Sequence, residues 1–573
     1  MAAVFVDNLP IQNFFIPCCL SDTIMAPRRP SPVSLPVFAV VVCLLLASVF
    51  APVVLGLSDG SVLETESADD AIVVDDALPT NGTTVEAVVR LEEATVPEGI
   101  GEAAAERRLE THAESTQESL LEHVRETDRL SVEETFWLTN AVLVEVDTGA
   151  VDYETFEQFG AVEAVHENFE VSIPEPPRRA NTTGSVGSSG STVGERNTTA
   201  GVAQVNAPAV WEEYDTRGEG VRVAVLDTGV DVSHPDIDLA TDDPSDPTYP
   251  GGWAEFDASG QRVPRSTPHD TGTHGTHVSG TVAGGATSGT AIGVAPEAEL
   301  LHGLVMSETS GSFAQVVAGM EWALRSDADV INLSLGATGA HPALIDPVRN
   351  ARHSGAVVVG AVGNEGAGTS DSPGNVYETI SVGAVDGVGT VPPFSGGQRL
   401  NRTDWNGSPA DWDAPSSYVV PDVVAPGVAV TSAGPDGGYA TIPGTSMATP
   451  HVSGTAALLL SAEPDATPDE IETALTETAR VPENRVTERD VTTDDGDGRL
   501  DTRYGHGIVD ASAAADALVA VRGSMDPTTV RSSDVDTTDD PNSTWPPVFA
   551  AGIALVGVTL TLALLARHRF GER

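Results

Sequence analysis

Ser446 lies in Gly444-Thr-Ser-Met-Ala-Thr-Pro450, a run of small residues leading into an apolar, helix-length segment that starts at His451. A serine at such a junction is well placed to be a nucleophile. The first amides of a helix have no intrahelical partner, and the positive end of the helix dipole favours a developing anion. The same serine could do no more than cap the helix. To react it needs a base for its proton and a third group to orient that base. Two other stretches offer them. Val223-Ala-Val-Leu-Asp227 reads as a buried strand ending in an acid followed by Thr-Gly, the edge where parallel sheets gather functional groups. His274-Gly-Thr-His-Val-Ser-Gly-Thr281 places a histidine at a helix start. The chain order is acid, imidazole, hydroxyl.

The elements that must hold these groups alternate. Strands are expected at Val221–Leu226, Leu300–Val305, Val330–Leu335, Ala356–Val362, Thr379–Ala384 and Gly427–Thr431. Helical patterns lie between them near His274–Ala283, Phe313–Arg325, Leu344–Arg352, His451–Ala462 and Asp469–Ala479. Near-continuous apolar strands alternating with helices argue for an α/β fold, a mostly parallel sheet covered by helices on both faces. Upstream, Val85–Leu91 alternates like a strand, Glu102–Leu130 reads as helix, Ala141–Val146 and Ala161–Val165 as strands, and Glu154–Phe159 as a short helix. Together they give a small α+β domain of βαββαβ type.

The boxes at 227–236, 274–281 and 444–454 resemble those of subtilisin-like serine proteases, whose triad has this chain order. The resemblance spans roughly residues 201–520. It implies a seven-stranded parallel α/β fold and an endopeptidase that works through an acyl-enzyme. Ser446 would attack the scissile carbonyl, His274 would carry the proton to the leaving amine, and Asp227 would fix the imidazole. Asn364, ending the strand Val358–Val362, matches the family's oxyanion asparagine. Ser334-Leu335-Gly336 matches its substrate-binding edge, where a peptide adds as an antiparallel strand, and Ala361-Val362-Gly363 its opposite wall. Asp371 falls near the base of the primary pocket, in a loop shorter than in subtilisins, and would there favour Arg or Lys. The small upstream domain is similar to the inhibitory propeptide of this family, which makes an intramolecular inhibitor and a zymogen the expectation. No cofactor is expected for catalysis, but structural calcium is. Asp236 with Gly285, Thr287, Gly289 and Ala291 matches the family's tight calcium loop. Thr287 replaces its usual asparagine, however, and Arg196 stands where an amide ligand belongs. Asp495, Asp497 and Asp501, spaced among glycines, form a second oxygen-rich candidate.

Composition sets the surroundings. The 573 residues carry 84 Asp plus Glu against 29 Lys plus Arg, a formal net charge of −55. Every strong base is arginine. Such a surface excludes nucleic acid and anionic lipid as charge-driven partners. It fits very high salt, where the Debye length shrinks to about 3 Å at 1 M, and it resembles secreted haloarchaeal proteins, so that the enzymes most alike would be of halolysin type. The cysteines, Cys18, Cys19 and Cys43, all sit near the N-terminus.

The expected organisation begins with an export signal region over 1–57, in which Arg28 and Arg29 precede an apolar run and Met25 is a second candidate start. An acidic spacer (58–84), the propeptide (85–177), a Gly/Ser/Thr linker with the processing region (178–200) and the peptidase domain (201–522) follow. An acidic linker (523–547) then leads to Val548–Ala566, 19 residues without a charge. As a helix this segment is about 28 Å long, enough to cross a bilayer. Arg567, Arg569 and Arg573 in the tail 567–573 put that end in the cytoplasm and the catalytic region outside, as a monomer tethered to the membrane. Sequons at Asn81, Asn181, Asn197, Asn401, Asn406 and Asn542 suit an exported surface. Three rival readings remain. Asp-Thr-Gly recurs at 147–149, 227–229 and 270–272, but without the paired halves an aspartic protease needs. Asp270, His274 and His277 make a zinc set without a water-activating glutamate. The reading from another class is a catalytically silent, surface-anchored binding protein on the same scaffold.

Overall fold

The computed structural model describes residues 72–97, 99–174, 197–240, 251–482 and 501–525. The export region, most of the linker 178–200, Asp495 and Asp497, and the segments expected to form the second linker, membrane helix and tail lie outside them. No helix among the described residues is long and apolar enough to cross a membrane.

The small domain comprises β1 (Val73–Val74), β2 (Thr84–Leu91), α1 (Glu102–Glu126), β3 (Leu130–Phe136), β4 (Ala141–Asp147), β5 (Val162–Glu167) and β6 (Glu170–Ser172). The first five strands form one sheet in the order β1-β5-β2-β4-β3. The domain therefore reaches into what reads as an acidic spacer, since β1 runs parallel to β5 and Leu78 is buried. The expected second helix is a 3₁₀ turn, Tyr153–Gln158. On β2 the alternation does not separate core from solvent. Ala87, Val89 and Leu91 enter the domain's own core, while Val88 enters one shared with the large domain.

The large domain is built on seven parallel strands: β7 (Arg222–Asp227), β8 (Trp253–Glu255), β9 (Glu299–Leu304), β11 (Val330–Leu333), β13 (Val357–Ala361), β15 (Ile380–Val385) and β16 (Val423–Pro426). Three short segments stand outside this sheet: β10 (Ser310–Ser312), which pairs with β6, and β12 (Ala337–Thr338), which pairs with β14 (Asp371–Ser372). The order is β16-β15-β13-β11-β7-β9-β8. The expected strand at Gly427–Thr431 is displaced. Val423–Pro426 takes the sheet position, and Val430–Ala433 pairs instead with Tyr439–Ile442.

Period-2 burial divides the sheet's two faces. Val223 and Val225 pack with Val278 and Val282 of α2 (His274–Ala283). Ala224 and Leu226 pack with α3 (Phe313–Arg325) and α4 (Ile345–His353). The helix after the small-residue turn, α5 (Thr445–Ala462), joins the first face and starts six residues before its apolar run. Its N-cap is Gly444, at φ 155°, so Ser446 sits inside the first turn and is not the cap. The domain continues beyond 522, through a helix that ends at Met525.

Candidate active site

The chemistry collects at the carboxyl ends of β7, β11 and β13. Asp227 ends β7, is fully buried, and accepts from the Thr228 N–H at 2.7 Å. Its carboxylate faces His274 at the start of α2, with Nδ1 at 2.8 Å from Oδ1 and 3.0 Å from Oδ2. A carboxylate on Nδ1 fixes that nitrogen as the N–H and leaves Nε2 as the base. Gly229 permits the approach, because it takes φ +110° and a Cβ there would lie 2.0 Å from the His269 carbonyl.

Ser446 and His274 line one cavity of about 260 Å³ with Asn364, Met447, Ile173 and Pro174. Neither Ser446 Oγ nor His274 Nε2 makes a hydrogen bond, although both are buried. Such contacts tighten when substrate carbon arrives. The Asn364 amide is held from one side. Thr445 N–H and Oγ1 both donate to its Oδ1, at 2.9 and 3.0 Å. Its Nδ2 is thereby aimed outward, and it donates to the Pro174 carbonyl at 3.0 Å.

That contact belongs to a longer one. Residues 170–174 of the small domain lie as a strand in the cleft, with β6 antiparallel to β10. Ser172 and Gly336 exchange both backbone hydrogen bonds at 2.9 Å, and Ile173 N–H donates to the Thr309 carbonyl at 3.0 Å. The edge expected at Ser334–Gly336 is thus occupied by the chain's own peptide. Ser334 turns its side chain inward and donates to the Ser446 carbonyl at 2.9 Å, while Leu335 is buried. Ala361, Val362 and Gly363 flank Asn364 on the other side, all buried. Asp371 is buried beside Gly336 and Gly363.

Three other sets behave differently. Asp270 is engaged by Thr228, Gly272, Thr273 and Thr276. His277, driven by burial down to about 3, meets the Val430 carbonyl at 3.1 Å. No group of three metal-binding side chains occurs among the described residues, so Asp270, His274 and His277 are not brought together as a zinc set. The loop 285–291 does surround Asp236, but its polar atoms satisfy one another. Asp236 Oδ1 accepts from Thr287 N–H at 2.6 Å, and Oδ2 from the Tyr439 hydroxyl at 2.5 Å. The carbonyls of Gly285 and Ala291 accept from Ile292 and Thr199, and Gly289 N–H is turned onto the Ala286 carbonyl. Among the described residues, Asp236 is the one carboxylate this loop surrounds, and each of its oxygens carries one donor, whereas a calcium cage draws on six to eight oxygens. Asp501 spends Oδ1 on the Arg503 and Tyr504 amides, at 2.9 and 2.7 Å.

Sequence reasoning missed Thr445 and His302. His302, on β9, is fully buried and pushed down to about 4 by that burial. Neutral, it accepts from Gly229 N–H at 3.1 Å and meets Ser279 Oγ at 2.9 Å, tying the loop after Asp227 to the helix of His274. The only available signal was a histidine inside an apolar strand.

The family model described as the subtilase family matches residues 218–507. A subtilisin of Bacillus pumilus is 39% identical over 287 residues, covering 49% of this chain and 90% of that protein. Subtilisin E of Bacillus subtilis is 37% identical over 323 residues, 55% of this chain and 70% of the relative. Subtilisin Savinase of Lederbergia lenta is 36% identical over 316 residues, 55% of this chain and 97% of its own length.

Proposed function

Because the chain belongs to the subtilase family and is a subtilisin-like serine endopeptidase, we propose that Asp227, His274 and Ser446 are its triad and Asn364 its oxyanion donor. Ser446 Oγ attacks the carbonyl carbon while His274 Nε2 takes the hydroxyl proton. The oxyanion is held by Asn364 Nδ2 and the Ser446 N–H, which has no acceptor in the first turn of α5. His274 then gives its proton to the leaving amine, and water repeats the sequence on the acyl-enzyme. Asp227 keeps the imidazole in the needed tautomer and stabilises its cation.

The small domain is read as the propeptide, and the enzyme as a zymogen. A single observation carries both halves of this reading. The Pro174 carbonyl rests on Asn364 Nδ2 in the cavity that holds His274 and Ser446. The bond poised for the first cut is then Pro174–Glu175, upstream of the linker that reads as the processing region. The net charge of −55 supports work in concentrated salt. The signal-like start and the apolar segment 548–566 support export with membrane tethering, as a monomer.

Expression of wild type and Ser446→Ala in concentrated salt tests this. Wild type should mature, give a new N-terminus at Glu175 or beyond, and digest casein, while the variant stays full length and inert. Maturation and casein digestion by the variant at the wild-type rate contradict the reading.

A further inference from the structure

The strand 170–174 shows where the side chain before a scissile bond must go. Ser172 is paired with Gly336 and the Pro174 carbonyl sits on Asn364, which places residue 174 over the gap between Ser334–Gly336 and Ala361–Gly363. Glycines border this gap on both sides. A Cβ on Gly363, at φ +107°, would stand 2.7 Å from Asp371 Oδ2 and 2.8 Å from Glu365 Oε2. A Cβ on Gly336 would stand 2.7 Å from the Asp371 Cβ. Both glycines therefore open onto one carboxyl group.

That carboxyl is held in place and only partly satisfied. Asp371 is 1% exposed. Its N–H donates to the Val362 carbonyl at 3.0 Å, and β14 pairs Asp371 with Thr338 of β12. Glu365 accepts from the Asn364 N–H at 2.9 Å, which brings a second carboxylate against the first. Burial, then the charge of Glu365, pushes Asp371 up to about 7, against a hydrogen bond from Thr338. Among the described residues, Glu365 is the charged group that acts on it there. Asp371 Oδ1 is buried with no hydrogen-bond partner.

We propose that Asp371, backed by Glu365, is the acidic floor of the pocket for the residue preceding the scissile bond, and that it selects Arg or Lys there. This rests on the protease reading above. A guanidinium or ammonium group supplies the missing partner of Oδ1 and relieves the repulsion between the two carboxylates. A large apolar side chain would instead bury itself against an unpaired acid. Pro174 does neither, and it lacks the N–H that an ordinary residue would donate to the edge strand. It suits an occupant that lingers. The stretch 175–196 between the domains contains Arg178, Arg179 and Arg196, so the chain carries basic sites for later cuts.

The test uses the full chain matured in concentrated salt and four peptide anilides that differ only in a final Arg, Lys, Phe or Ala. At about pH 9, well above where Asp371 ionises, kcat/KM for Arg and Lys should exceed that for Phe by about tenfold or more. The ratio should fall as pH drops and Asp371, held above the ordinary carboxylate range by burial and by Glu365, takes a proton. Asp371→Asn should remove most of the preference. Glu365→Gln should keep it and move the fall to lower pH, a readout that stands even if Asp371→Asn does not fold. Preference for Phe at high pH, an unchanged ratio in Asp371→Asn, or an unmoved midpoint in Glu365→Gln overturns the proposal. If a fluorophosphonate labels Ser446 while Phe is preferred, this inference alone falls. If no anilide is cleaved and Ser446 is not labelled, the protease reading falls with it.

Discussion

The small domain grips the large one in two places, and the two contacts are chemically opposite. In the cleft, residues 170–174 are held by backbone hydrogen bonds to Gly336, Thr309 and β10 and by Asn364, with Val171 fully buried. On the shoulder formed by α3 and α4, buried charges sit within an apolar contact that includes Val88, Leu109, Phe136 and Trp137. Arg90 reaches the buried carboxylate of Asp346, which Arg349 also approaches at 3.1 Å. Glu321 Oε1 accepts from the Trp137 and Leu138 N–H groups at 2.6 and 2.9 Å. Beside them lies a cavity of about 850 Å³ lined by Glu110, Glu114, Glu118, Glu134, Arg262 and Arg325. Backbone pairing responds little to pH or salt, whereas buried and clustered charges respond strongly. We read the cleft as the inhibitory contact and the shoulder as the one that sets when inhibition ends.

Breaking the shoulder should have the largest effect. Arg90→Ala leaves Asp346 without its closest cation, which for a buried pair costs about 3–5 kcal/mol. The inhibition constant of the small domain should rise more than about a hundredfold, as measured by inhibition of the mature enzyme. Mature turnover should not change, because Arg90 is not part of it. An unchanged constant would place the binding energy in the cleft instead.

The cleft is tested by Asn364→Leu. Turnover should fall by about 10²–10³ with little change in KM, a size measured in a subtilisin and carried over here rather than derived. Pro174 should lose its clamp as well, so one substitution weakens both catalysis and the cleft contact. Steady-state kinetics on a peptide anilide separate kcat from KM.

The pH response should be smaller and confined to the shoulder. Burial pushes Glu321 up to about 8 and raises Asp346 and Glu93 as well. A free glutamate ionises near pH 4.3. Through these carboxyls docking takes up protons, whereas His166, pushed down to about 4 by burial against Phe313, gives one up below about 6.5, so affinity must fall as pH climbs from about 6.5 to about 8 and then level off. Glu321→Gln should flatten part of this curve. A curve that rises with pH would reverse the sign of the argument.

Salt should act in the same place. Residues 72–174 hold 24 Asp plus Glu against five Arg, facing a protein that is itself acidic. Diluting the salt lengthens the Debye length from about 3 Å at 1 M to about 10 Å at 0.1 M. Inhibition should weaken several-fold on dilution, and less so for a variant neutralised at Glu110 and Glu114.

The catalytic boxes were legible because they end strands or begin helices with strong patterns. Helices 274–283 and 313–325 fall where their periodicity puts them. The start of α5 was hidden by its small residues and by Pro450, which reads as a breaker but is accommodated within the helix. Strand β16 was hidden by Pro421 and Pro426 around a two-valine run. What pattern could not show is which distant groups meet. Thr445 holds Asn364 across 81 positions, and His302 reaches Gly229 across 73. The match of Asp236 and its loop to a calcium site rested on residue identity, whereas their engagement with Thr287 and Tyr439 is a matter of geometry. The segment 170–174 is too short and plain to announce that it fills the cleft.

The most direct measurement is the site of fluorophosphonate attachment, read by mass spectrometry on the matured enzyme. One adduct is expected, on the peptide carrying Ser446, lost in His274→Ala because the hydroxyl then has no base. An adduct on a different serine, or undiminished labelling of Ser446 in His274→Ala, would contradict it.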